Sequence, residues 1–132
     1  MCRAECSCGS SCPQRLSSLP RGVHLLRARQ DQVDKTIKFQ GGVYGANTSF
    51  FAVSVEPGSG PGLHVHPYAE VWIVRRGQAA FQAGGQDVVA GPGDILVVEA
   101  SVPHKFTSIG EERLDMVCIH DSGNIVQHPV DQ

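Results

Sequence analysis

The stretch GPGLHVHPYAEVWIVRRG, residues 60–77, places two histidines and a carboxylate beside a β-type apolar run. His64 and His66 are two residues apart, so in a strand their side chains share one face, with Cβ atoms roughly 6.5–7 Å apart. Both imidazoles can then reach one ion at about 2.0–2.2 Å. Glu70 begins the next apolar run, and two histidines with one carboxylate are the ligand set of many non-haem metal sites. The stretch therefore predicts a metal site between two strands.

Short β-type runs separated by turn residues continue on both sides of this stretch. The sequence has 15 Gly and 8 Pro, a composition that suits strands joined by turns. The runs are residues 23–30, 35–40, 47–56, 63–66, 70–76, 78–82, 86–90, 94–99, 103–108 and 113–120. About ten candidate strands with a turn roughly every 6–10 residues are typical of an all-β sandwich or barrel.

Composition and charge exclude several classes of protein. A chain of 132 residues is the size of one ordinary domain. The formal net charge is −2 and basic residues are scattered, which argues against a nucleic-acid or membrane-surface partner. No apolar segment approaches the roughly 20 residues that span a bilayer. The N-terminus has no apolar signal-peptide core, so we expect a cytoplasmic protein.

Residues 1–22 differ in composition from the remainder of the chain. They hold four of the five cysteines, at Cys2, Cys6, Cys8 and Cys12, among Ser, Pro and Arg. Their spacing matches no common zinc motif. We predict a disordered tail outside the fold, with thiolate binding of zinc or copper as the alternative, and a domain over residues 23–132.

Two motifs resemble those of the cupin superfamily. The first runs from Gly58 through His64, His66 and Glu70 to Gly77 with every defining spacing present. The second resembles GDILVVEASVPHKFTS, residues 93–108, and contains His104. It departs from the family pattern at three positions that are not ligands, where Glu99, Ser101 and Ser108 replace the usual proline, glycine and asparagine.

The resemblance implies a single jelly-roll-like cupin β-barrel that holds one divalent metal ion. The implied ligands are His64, His66, Glu70 and His104, and the ion is Fe, Mn, Ni, Zn or Cu. Such a protein would be a metal-dependent enzyme for a small organic molecule, an oxidoreductase of the dioxygenase type or an isomerase. The alternative is a non-catalytic small-molecule-binding or sensor module. The resemblance also implies a homodimer, with residues 23–40 as the expected contact.

Alternation along the strands extends the site to neighbouring residues. Trp72 shares a face with Glu70, and Phe106 shares a face with His104, so both are candidate walls of a substrate pocket or ordinary core residues. Tyr68 lies in the corner between predicted ligands, where it can donate a hydrogen bond near the site or remain at the surface.

The remaining candidate ligands are interpreted as structural. His24, His120 and His128 have no motif support and are expected at the surface or the edge of the core. Cys118 lies in an apolar run and is expected to be an inert buried thiol.

Overall fold

The computed structural model describes residues 19–131, and these residues form an almost entirely β structure. The strands are β1 (Ile37–Gln40), β2 (Ser49–Val55), β3 (His64–Val65), β4 (Glu70–Arg76), β5 (Gln78–Ala83), β6 (Gln86–Ala90), β7 (Ile95–Val98), β8 (His104–Ile109), β9 (Leu114–His120) and β10 (His128–Pro129). Two short 3₁₀ helices lie at Gln30–Gln32 and Gly41–Tyr44. Cys2, Cys6, Cys8 and Cys12 lie outside the described residues. Between residues 19 and 131, no helix has the length and apolar character needed to cross a membrane.

The strands form two five-stranded antiparallel sheets. The first sheet has the order β1-β2-β9-β4-β7, and the second has the order β10-β3-β8-β5-β6. Apart from the pairs β1/β2 and β5/β6, successive strands cross between the sheets, as in a jelly roll, and the two sheets enclose one core. The all-β prediction from the spacing of the strands is confirmed.

Residue alternation determines which side chains enter this core. Along β4, Glu70, Trp72 and Val74 are buried while their neighbours are partly exposed. The Trp72 ring stacks on Phe81 of the facing sheet with a centroid distance of 4.0 Å. Phe106 meets Trp72 edge-on at 5.7 Å. Glu70, at the start of β4, therefore lies on a strand that is anchored in a core of packed aromatic rings.

The predicted strand at residues 23–30 is wrong. Within residues 19–131, residues 23–29 have no strand partner, and the first strand begins at Ile37. Val23 and Leu26 are 51% and 53% exposed, so this apolar run does not enter the core. An apolar run forms a strand only where it can hydrogen-bond to a neighbouring strand. The sequence of the run does not show whether such a neighbour exists.

Gly60 allows close packing next to the site. A Cβ atom at this position would collide with the carbonyl oxygen of Phe106. The absence of a side chain lets the loop before β3 lie against β8, the strand that begins with His104. This contact brings two of the predicted ligand-bearing segments together.

Candidate metal centre

The four predicted ligands converge at one end of the two sheets. One nitrogen or oxygen atom from each of His64, His66, Glu70 and His104 lies within 4.8 Å of the others. All four residues are buried, with 1–5% of their surface exposed. Burial of four metal-capable groups in one cluster is uncommon without a partner that compensates their polarity.

Each sheet contributes part of this cluster through its strand register. In the second sheet, His64 on β3 pairs directly with His104 on β8. In the first sheet, Glu70 begins β4. His66 lies in the connection between these two strands, just before Pro67. The short β3–β4 corner therefore joins the ligands of one sheet to those of the other.

Backbone carbonyls fix the orientation of the three predicted imidazole ligands. Nδ1 of His64 lies 2.6 Å from the oxygen of Gly62. Nδ1 of His66 lies 2.7 Å from the oxygen of Val126, and Nδ1 of His104 lies 2.7 Å from the oxygen of Val102. A carbonyl can only accept, so Nδ1 carries the proton and Nε2 of a neutral ring is left with a lone pair. This arrangement is the usual one for metal-binding histidines.

The Nε2 atoms of His66 and His104 face the Glu70 carboxylate, which has no proton to offer them when ionised. Nε2 of His104 lies 3.0 Å and Nε2 of His66 lies 3.2 Å from Oε1 of Glu70. The His66 Nε2 atom is fully buried and makes no hydrogen bond to any other residue that the structure describes. Lone pairs held around a carboxylate repel one another unless a cation lies among them, so the donor set fits a divalent metal ion.

The pKa shifts reflect this crowding. Burial acts to raise the pKa of the Glu70 carboxyl, but the adjacent imidazoles of His104, His120 and His66 outweigh it and hold the pKa well below its usual range. Burial lowers the pKa of His64, and the neighbouring imidazoles lower it further. Burial also opposes protonation of His66, but its contacts with Glu70 and Val126 raise the pKa above its ordinary value. Glu70 is therefore an anion at neutral pH.

His120 belongs to the site, and its expected place at the surface or core edge is wrong. It ends β9, directly across from Glu70 in the register of the first sheet, and is 1% exposed. Its Nε2 lies 3.1 Å from Oε2 of Glu70. His24 and His128, by contrast, are exposed. The available signal was the alternation of β9, in which His120 shares the inward face of Leu114 and Cys118.

A cavity of about 330 Å³ adjoins the cluster. Trp72 and Phe106 line it together with Phe51, Val53 and Val55, and both also belong to the core. Tyr68 does not line the cavity. Its hydroxyl lies 2.7 Å from Nδ1 of His120, behind the site. Cys118 lines the cavity as a buried thiol, and burial followed by the Glu70 charge raises its pKa well above the usual range.

The three departures in the second motif have different structural consequences. Ser101 has a φ of 66°, in the left-handed region where glycine is favoured, and its N–H donates to the carbonyl of His66. Ser108 is buried, and its hydroxyl has no hydrogen-bond partner in the described part of the chain. Glu99 is exposed to solvent. None of the three touches the predicted ligand atoms.

The chain matches a known domain family and several solved structures. The model of the cupin domain family matches residues 51–120, just over half of the chain. No curated protein matches the sequence significantly. A cupin protein from Bacteroides fragilis is similar in fold, with a TM-score of 0.66 and 14% identity over 82% of this chain and 90% of that one.

Two enzymes of known activity share the fold at low identity. A recombinant oxalate oxidase bound to glycolate has a TM-score of 0.63 and 19% identity over 71% of this chain. The oxalate decarboxylase of Lactobacillus farciminis, solved with formate, has a TM-score of 0.64 and 20% identity over 72% of this chain. The matched part spans 53% of the oxidase chain and 30% of the decarboxylase chain. The family match, the two-sheet fold and the motif residues lead to one conclusion: the chain belongs to the cupin domain family.

Proposed function

We propose that this chain is a metal-dependent enzyme that acts on a small, mostly apolar organic molecule. His64, His66, Glu70 and His104 would hold one divalent ion, which supplies a Lewis acid next to the cavity. The observation that carries the proposal is the set of three Nδ1–carbonyl hydrogen bonds, which leave the Nε2 atoms of three buried imidazoles available to one ion beside the Glu70 carboxylate. Four protein ligands leave open positions on an octahedral ion for a substrate.

The cavity limits the size of the substrate and favours apolar groups. Its volume of about 330 Å³ lies at the small end of ligand pockets, which span roughly 300–1,000 Å³. Phe51, Trp72 and Phe106 supply much of its wall, so the part of the molecule remote from the metal would be aliphatic or aromatic. These side chains bind and orient the substrate, and they exclude water from the reacting end.

The charge of the site favours a neutral or monoanionic chelating group. A divalent ion and ionised Glu70 leave a net charge of +1 when the imidazoles are neutral. A monoanion would balance this charge, whereas a dianion such as oxalate would leave an uncompensated negative charge in a buried site. Among the described residues that line the cavity, none is Lys or Arg. We therefore propose a substrate with two adjacent oxygens and at most one negative charge.

A non-catalytic binding module is the second candidate function. The described cavity wall offers Thr36, Gln127 and a protonated Cys118, but no acid or base outside the histidine and glutamate cluster. A site that only retains a ligand has no need for such a group. The same geometry would then serve a sensor that acts through a partner.

Turnover distinguishes the two functions. The protein would be loaded with Fe(II), Mn(II) or Co(II) and supplied with vicinal oxygen compounds, such as 2-hydroxy ketones and catechols, and with oxalate. Oxygen consumption and product masses would be recorded beside the His64→Ala/His66→Ala variant. Metal-dependent conversion of a monoanionic or neutral compound supports the enzyme. Tight binding without conversion of any compound supports the binding module, and preferential conversion of oxalate contradicts the charge argument.

We also propose that two copies of the chain pair through the outer face of the first sheet. The outward positions on its five strands are apolar over most of their length, at Ile37, Phe39, Phe50, Ala52, Val71, Ile73, Ile95, Val97, Val117 and Ile119. Ile95 and Val97 are 63% and 64% exposed. Apolar patches of this extent on a monomer usually mark an interaction site.

A second copy fits this face better than the N-terminal segment does. Strands about 4.8 Å apart make the face roughly 24 Å wide, and strands of four to seven residues make it roughly 13–23 Å long, so it could supply much of the ~800 Å² per partner of a stable interface. Residues 1–18 contain few large apolar side chains that could cover it. Light scattering at micromolar concentration should therefore give a dimer, and Ile95→Lys/Val97→Lys should give a monomer. A monomeric wild type, or equal disruption by the control Val88→Lys/Val89→Lys on exposed β6, would contradict this proposal.

A further inference from the structure

We infer that His120 is a positioning residue that holds the Glu70 carboxylate, with its own ring fixed by Tyr68. This inference rests on the proposed metal site and concerns residues that lie behind it. His120 and Glu70 are cross-strand neighbours on β9 and β4, and both point inward. Direct register pairing brings such side chains to within contact distance without any loop.

The two oxygens of Glu70 have different partners. Nε2 atoms of His66 and His104 lie 3.2 and 3.0 Å from Oε1. Nε2 of His120 lies 3.1 Å from Oε2. Metal binding would engage His66 and His104 through the same Nε2 atoms, so both would leave the carboxylate. His120 would then be the one imidazole of the described cluster that still faces Glu70.

Tyr68 decides which nitrogen of His120 carries the proton. The Tyr68 hydroxyl accepts the N–H of Val126 at 3.0 Å. Its own hydrogen can go to Nδ1 of His120 at 2.7 Å or to the carbonyl of Val126 at 3.2 Å, and the shorter contact is to His120. A neutral His120 that accepts at Nδ1 carries its hydrogen on Nε2, where it faces an anionic oxygen. The reverse tautomer would place a lone pair against Oε2.

Neighbouring rings pack around His120, so its imidazole cannot rotate freely. The His120 ring is 1% exposed and meets Phe51 edge-on at 5.6 Å. It meets His66 edge-on at 4.6 Å, while the Tyr68 ring lies parallel to His66 at 5.2 Å. His120 has no backbone carbonyl on Nδ1, unlike the three predicted imidazole ligands, and has Tyr68 in that place. This difference separates a residue that orients a ligand from the ligands themselves.

Two substitutions at His120 separate positioning from other roles. His120→Phe keeps the bulk and removes both nitrogens, while His120→Gln keeps an N–H donor that can reach Glu70. Co(II) affinity by calorimetry should fall ~10–100-fold in His120→Phe, the usual effect of losing a group that orients a ligand, and should largely recover in His120→Gln. His24→Phe, at an exposed histidine, is the matched control and should bind like the wild type.

Nitrogen NMR of the metal-free protein gives a test that does not depend on metal binding. The neutral His120 ring should show the Nε2–H tautomer, and Tyr68→Phe should shift it toward a mixture. The Nδ1–H tautomer in the wild type would overturn the inference whether or not the protein binds metal. Unchanged Co(II) affinity in His120→Phe would also overturn it. Equal losses in His120→Phe and His120→Gln would overturn it in favour of direct ligation. A wild type that binds no Co(II) contradicts the proposed function. In that case the tautomer of His120 still tests its contacts with Glu70 and Tyr68.

Discussion

Binding of Mn(II) should stabilise the folded chain, because the four candidate ligands are assembled only in the native structure. They come from β3, the β3–β4 corner, β4 and β8, and unfolding separates them along the chain. A ligand that binds only the native state stabilises it by about 2.7 kcal/mol when its free concentration is 100 times Kd. Mn(II) is the preferred probe because it suits imidazole and carboxylate better than the thiolates of Cys2, Cys6, Cys8 and Cys12.

The expected shift in melting temperature follows from the size of the domain. Unfolding entropy of about 2.1 cal/mol/K per residue, over roughly 110 residues, converts ~2.7 kcal/mol into a rise in Tm of about 12 °C. The assay is thermal unfolding by circular dichroism across a Mn(II) titration. The quantity compared is the shift in each variant relative to its own metal-free Tm.

Two double variants make this test specific. His64→Ala/His66→Ala removes two buried candidate ligands, so its Tm should not respond to Mn(II). His24→Ala/His128→Ala removes two exposed histidines and should respond like the wild type. The reasoning is refuted if the wild type shows no shift at saturating Mn(II), or if the ligand variant shifts as much as the wild type.

Three further predictions concern the core, the titration of the site and the second-motif turn. Trp72→Ala should lower the free energy of unfolding, measured by urea denaturation, by about 3–5 kcal/mol, because Trp72 is 1% exposed and stacks on Phe81. A loss of less than about 1 kcal/mol would contradict this packing. Mn(II) affinity should rise with pH and level off only above pH 6.5, because the pKa of His66 is raised and a proton therefore competes with the metal for Nε2. A Kd that calorimetry shows to be independent of pH between 5 and 8 would contradict this prediction. Ser101→Gly should stabilise the protein by up to about 1 kcal/mol, because it removes a left-handed serine, whereas a loss of stability would indicate that the serine side chain matters.

The strands that contain the site could be predicted closely from the sequence. The run at residues 70–76 became β4 with the same bounds, because the alternation of buried Glu70, Trp72 and Val74 persists through the strand. His64 and His66 came together with Glu70 because they are joined by a corner of three residues. Over such short separations, spacing and alternation nearly determine which side chains can meet.

The position of His120 beside Glu70 could not be predicted from the sequence, because it depends on pairing between distant strands. Glu70 and His120 are 50 positions apart in the sequence, and only the β4–β9 register makes them neighbours. Alternation indicates that His120 faces inward, but it does not say which strand lies beside it. The strand predicted at residues 23–30 is wrong for the same reason, since no local feature of Val23 or Leu26 shows that a partner strand is missing among the described residues.

The measurement that tests the central claim most directly is the metal content of the purified protein, before and after incubation with divalent metals and dialysis. The wild type and His64→Ala/His66→Ala would be compared by elemental analysis. The account predicts about one equivalent of a divalent metal in the wild type and almost none in the variant. Metal retained in the variant would place the ion elsewhere in the chain. A wild type that retains no metal after incubation would contradict the account.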